Sequence, residues 1–156
     1  MLSYDPKKAA EVWQRVQSAS PAPPDPPEPS DPSDLLPMIA EEWADAVTYL
    51  HLSRRFQGRQ SAALRQMAQQ EQAHAACLRG IYTLLTGQQP ALRTPPASQE
   101  DPKTLLRRCY SREVRCLAAY QARAADPAHG HVFSRLAQQE QAHCHMLLEL
   151  LGSIRP

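Results

Sequence analysis

The heptapeptide AQQEQAH occupies positions 68–74 and recurs without a change at 137–143. Two identical copies in one chain of 156 residues mark an internal repeat. Outward from the first copy runs a stripe at alternating three- and four-residue spacing: Leu64, Met67, Glu71, His74, Leu78, Ile81 and Leu85. Outward from the second runs its counterpart, Phe133, Leu136, Glu140, His143, Leu147, Leu150 and Ile154. Such spacing is that of an amphipathic helix. In both copies a glutamate and a histidine lie inside the stripe that must face the core.

Two further stripes share the period. One is Leu35, Ile39, Glu42, Ala46, Tyr49, Ser53 and Phe56; the other is Leu106, Tyr110, Glu113, Leu117, Tyr120 and Ala124. Each again contains one glutamate. A shift of 69 residues superposes the repeats, and a shift of 71 superposes Glu42 on Glu113 and Tyr49 on Tyr120, so the chain reads as two similar helical hairpins. Stop signals delimit helices over 34–57, 60–86, 101–125 and 127–151, ending at Gly58, Gly87, Pro127 and Gly152. Asp101-Pro102 and Asp126-Pro127 place a capping carboxylate before a proline suited to a first turn. No strand-period alternation is visible. The fold class predicted is all-α: an antiparallel four-helix bundle over 34–156, with a long connection of about 14 residues over 87–100 that reaches ~46 Å when extended.

Ahead of the bundle, nine of the fifteen prolines fall in the first 37 residues. The stretch PAPPDPPEPSDP denies both helix and sheet, so residues 21–33 read as an extended linker. Residues 1–20 contain a short amphipathic helix over 6–17, with Ala9, Val12, Trp13 and Val16 on one face.

The four glutamates fall at one level. Glu42 lies 16 residues before Gly58 and Glu71 lies 13 after it; Glu113 and Glu140 lie 13 and 14 residues either side of Asp126. At 1.5 Å per residue each is ~20 Å from its turn, near mid-bundle. Four buried carboxylates cost several kcal/mol each unless they are protonated, exposed or neutralised by cations. Two divalent metals would neutralise them. One Glu from each of two helices plus a Glu-x-x-His from each of the other two is the ligand set of a di-iron or di-manganese carboxylate site in a bundle.

On these residues the chain from Leu35 to Ile154 resembles the ferritin-like superfamily and, within it, the rubrerythrin-like branch. The resemblance implies a ferritin-like bundle with a long crossover between its second and third helices. It implies that Glu42 and Glu113 are terminal or semi-bridging ligands, that Glu71 and Glu140 bridge, and that His74 and His143 give one imidazole to each metal. Tyr49 and Tyr120, each seven residues after a ligand Glu, match the family's tyrosines that hydrogen-bond ligand carboxylates. The expected cofactor is two Fe ions, with Mn or a mixed Fe/Mn pair as alternatives, since cellular supply as well as ligand type decides the metal. The activity implied is reduction of peroxide or O2 with electrons from an external donor such as a rubredoxin-like protein. The alternatives are a di-manganese catalase-like enzyme and a non-catalytic, iron-handling bundle. Two positions depart from the family pattern: its extra glutamate one turn after Glu113 is Cys116 here, and the mirror position holds Asp45. Either could join the site.

Composition excludes other classes. Seventeen Lys and Arg against sixteen Asp and Glu leave no field that favours nucleic acid or an anionic membrane. No apolar run could span a bilayer and no signal-peptide core follows Lys7 and Lys8, so a cytoplasmic protein, a homodimer among its open assemblies, is expected. Cys77, Cys109, Cys116 and Cys144 form no CxxC pair, which reads as reduced, partly buried thiols. His51, His129, His131 and His145 fall off the Glu/His level or face.

Overall fold

A computed structural model describes residues 31–154, together with Lys7, Lys8 and Glu11, which are helical. Apart from those three positions and the end of the linker, the N-terminal helix expected over 6–17 and the Pro-rich linker lie outside the described residues. Asp31 caps a single 3-10 turn, Pro32–Asp34, by accepting the Ser33 amide at 2.8 Å, so the linker's last residues already belong to the bundle's first turn. Four helices follow: α1 (Leu35–Ser53), α2 (Gly58–Thr86), α3 (Pro102–Ala122) and α4 (Gly130–Ser153). There is no strand among the described residues. Helices α1 and α2 form one antiparallel hairpin, α3 and α4 the other. The chain is the four-helix bundle that the stripes imply, with the ferritin-like architecture that the resemblance implies.

Helix ends depart from the expected ones for local reasons. Helix α1 stops at Ser53, four residues early, because the Ser61 hydroxyl takes the Ser53 carbonyl at 2.6 Å while Arg54 and Arg55 amides tighten the last turn. Gly58 begins α2 rather than ending α1; its φ of 55° makes the reversal. Asp101 caps α3 as expected, accepting the Thr104 amide at 3.0 Å. Asp126 does not start α4 but stabilises the turn before it, accepting the amides of Ala128 and His129. The helix begins at Gly130, where a Cβ would lie 2.3 Å from the Ala124 carbonyl oxygen. Leu85 is half exposed and Ala124 lies beyond α3, so the outer ends of two stripes are not core.

The interior has three storeys. One apolar cluster, with Leu52, Leu64, Met67, Leu105, Leu106, Cys109 and Leu147, fills the end where α3 begins. Another, with Leu35, Ile39, Leu78, Phe133 and Leu136, fills the end where α1 begins. The crossover runs the length of the bundle between them: Leu92 packs on the second cluster, and the Arg55 guanidinium donates to the Glu100 carbonyl at 2.6 Å beside the first. Between the two clusters lies a layer of buried acids and imidazoles.

Candidate metal centre

Every residue that the sequence places at this level is there and buried. Glu42, Glu71, His74, Glu113, Glu140 and His143 are each at most 2% exposed. Their ligand atoms form two groups, Glu42, Glu71, His74, Glu140 and Glu71, Glu113, Glu140, His143, with all atoms of a group within 4.8 Å of one another. Glu71 and Glu140 belong to both. Asp45 and Cys116 belong to neither, and among the described residues no other such group occurs.

These atoms crowd closer than their hydrogen bonding accounts for: among the six side chains only His74 Nδ1 and Glu42 Oε2, 3.2 Å apart, are hydrogen-bonded to each other. His143 Nδ1 lies 2.7 Å from Glu71 Oε1, and His74 Nδ1 lies 2.8 Å from Glu140 Oε1 and 2.9 Å from Glu71 Oε2. Yet both Glu71 oxygens, Glu113 Oε2, Glu140 Oε1 and His143 Nδ1 have no hydrogen-bond partner. Buried polar atoms are rarely left so. Close, unaligned donors aimed into one shared space are what a pair of cations would satisfy, and the chemistry of the set, hard carboxylates with two imidazoles, fits iron or manganese.

The imidazoles are oriented from behind. His74 Nε2–H donates to Gln139 Oε1 at 3.0 Å, and His143 Nε2–H donates to Gln70 Oε1 at 2.9 Å. Each glutamine precedes the glutamate of the opposite repeat, so each copy of AQQEQAH positions the other's histidine. The bond fixes the tautomer and leaves Nδ1 facing the cluster. The two rings face each other with centroids 5.8 Å apart. The fully buried tyrosines act across the hairpins: the Tyr49 hydroxyl donates to Glu113 and the Tyr120 hydroxyl to Glu42. Burial, reinforced by Glu113 and Glu42 respectively, raises both phenols above their usual range, so they stay neutral donors.

Without cations the layer must hold protons. Burial drives Glu71 well up, against the pull of the two histidines, and lifts Glu113 to about 7. Burial also pushes on Glu42 and Glu140, but the adjacent histidines, His74 beside Glu42 and His143 and His74 beside Glu140, win and hold both below the ordinary range. Burial works against charge on His143, yet Glu113, Glu140 and Glu71 raise it to about 12; Glu140, Glu42 and Glu71 raise His74 likewise. The four carboxylates are therefore balanced by imidazolium and shared protons, which metal ions would displace. Burial raises Cys109 to about 12 and Cys144 to about 11, and pushes Cys116 up as well; all four thiols are free.

Sequence reasoning missed the glutamines and Arg112. The glutamines were signalled by their identical place in both repeats. Arg112 donates to Asp45, at the position after which Glu113 follows, and nothing in the spacing singles it out.

A four-helix bundle whose mid-layer brings two helix glutamates and two Glu-x-x-His motifs together defines the class of carboxylate-bridged di-metal proteins. A family model, Rubrerythrin, matches residues 35–151, and the chain belongs to that family. No curated protein and no solved structure matches. No helix among the described residues is long and apolar enough to cross a membrane.

Proposed function

We propose that the chain is a non-haem di-iron protein that reduces peroxide or O2 with electrons from an external donor. The observation that carries this is the set of unpartnered carboxylate oxygens at the centre of two overlapping ligand groups. Glu42 and His74 would hold one iron, Glu113 and His143 the other, and Glu71 and Glu140 would be shared. Bound there, the iron pair supplies the two electrons that peroxide reduction consumes. The chain's own residues do the rest. Gln70 and Gln139 keep the imidazoles aimed inward, and Tyr49 and Tyr120 hold Glu113 and Glu42 in place. The two apolar clusters above and below exclude bulk water.

Balance requires H2O2, two electrons and two protons for two waters. The test is steady-state peroxide consumption by iron-loaded protein with a supplied reductant. Peroxide loss matched mole for mole by a two-electron reductant, and abolished in Glu71→Ala, supports the reading. O2 evolution without reductant would replace it by disproportionation, and no turnover by fully loaded protein would leave a non-catalytic iron-handling bundle.

A further inference from the structure

The two halves of the site are related by the 71- and 69-residue shifts, and most of its neighbours obey the relation. Tyr49 on Glu113 matches Tyr120 on Glu42, and His74 on Gln139 matches His143 on Gln70. One pair breaks it. Asp45 and Arg112 map onto Cys116 and Glu41. On one side a guanidinium is locked to a buried carboxylate; on the other the Cys116 thiol points to Glu41 Oε2 at 3.7 Å.

The consequence is that the layer's two flanks differ in charge and in cover. Arg112 of the Asp45–Arg112 flank lines a cleft of about 100 Å³ together with Val47, Arg108 and the crossover's Pro95 and Pro96. Arg112 there is only 18% exposed and is closed onto Asp45, so this flank offers an incoming cation no free anion. On the other flank the Glu41 side chain is 42% exposed, and Cys116, 6% exposed, touches it and lies near enough to Glu42 and Glu140 for both to act electrostatically on its thiol. Arg115 lies 3.8 Å from Glu41 and is itself 66% exposed, so it covers the carboxylate loosely.

We propose that divalent metal ions reach the buried layer through the Glu41–Cys116 flank, with Glu41 as the capturing carboxylate and Cys116 as the neutral, polarisable gate before Glu42 and Glu140. The inference rests on the di-metal reading of the site. A ligand layer at most 2% exposed cannot load without a path, and this flank leads from a solvent-open anion past one small side chain toward Glu140, whose Oε1 has no partner. The other flank presents a closed ion pair beneath the crossover.

The test is stopped-flow uptake of Co(II) by metal-free protein, followed by the ion's visible absorption, with the number of ions bound taken at equilibrium. Removing a charge at the mouth of such a path should slow uptake by ~3–10-fold, at the low end of electrostatic steering effects. Glu41→Gln is expected to slow it by that factor and Glu41→Lys by more, Arg115→Gln to speed it, and the wild-type rate to fall with added salt, all at unchanged final stoichiometry. Cys116→Val, which keeps the fold but removes the polarisable sulfur, is expected to slow uptake too. Full loading of Glu41→Gln and Glu41→Lys at the wild-type rate would overturn the route alone. Failure of the wild-type protein to take up Co(II) would overturn the metal centre and the route with it.

Discussion

Replacing Arg112 by Met should destabilise the metal-free protein by an amount that grows with pH. Asp45 is 3% exposed, and burial, only partly offset by Arg112, lifts its carboxyl from 3.8 to about 7. The folded state therefore binds this proton more tightly than the unfolded chain does. The associated stability is fully present below about 4 and is lost as pH rises through 7, beyond which Asp45 is ionised in both states and the wild-type loss levels off. Without the guanidinium the folded-state carboxyl rises further and the loss continues above 7. At pH 5.5 Asp45 is protonated in either protein, so only the lost hydrogen bond and stem packing count, about 1–2 kcal/mol. Each pH unit above 7 then adds about 1.4 kcal/mol, or about 2 kcal/mol by pH 8.5. Urea denaturation of wild type and Arg112→Met at pH 5.5, 7 and 8.5 reads this directly, with Asp45→Asn/Arg112→Met removing the pH-dependent part. A stability difference that is the same at all three pH values would refute the assignment of a buried, Arg-held carboxylate.

Three further outcomes follow from the same structure. Gly130→Ala must move the Ala124 carbonyl, 2.3 Å from the new Cβ, and should cost about 1–3 kcal/mol in thermal denaturation; Gly152→Ala, with open space around it, is the control. Tyr120→Phe removes the hydroxyl that donates to Glu42 and should weaken metal binding ~10-fold or more without altering the helical content seen by circular dichroism. Metal binding should release protons: Glu113, lifted to about 7, and the charged histidines must give theirs up, so affinity for Co(II) should fall by about a decade or more per pH unit from 7 to 6. Calorimetry in buffers of different ionisation enthalpy counts those protons, and a buffer-independent heat would contradict the protonated layer.

The bundle was legible because its stripes are long and its repeat identical. A 3–4 period sustained over six or seven positions fixes a helix face, and two copies of one heptapeptide fix which faces meet. The six acid and imidazole positions followed from counting residues to the turns, and the structure brings all six together. Period placed the tyrosines on their stripes and the family resemblance gave them ligand carboxylates to bond, but neither gave their crossing to the opposite hairpin's glutamate, because that depends on inter-hairpin distance rather than on period. Helix ends were the weakest part. Gly58 and Asp126 carry the right residue types for a stop and a cap, yet Ser61 capturing the Ser53 carbonyl and the tight approach at Gly130 are tertiary events that displace both ends. The Asp45–Arg112 pair was hidden for the same reason, since a lone arginine on α3 has no partner until two hairpins are docked.

The central claim, that the buried layer is a two-metal site, is tested most directly by anaerobic Fe(II) titration of metal-free protein, followed by H2O2 and then O2 while the near-ultraviolet absorption of ferric iron is recorded. About two Fe(II) per chain, with an absorption that appears faster with peroxide than with O2, is the predicted result. Fewer than about one tightly bound iron per chain and no such absorption would contradict it, and would return Glu42, Glu71, His74, Glu113, Glu140 and His143 to a buried polar layer held together by shared protons.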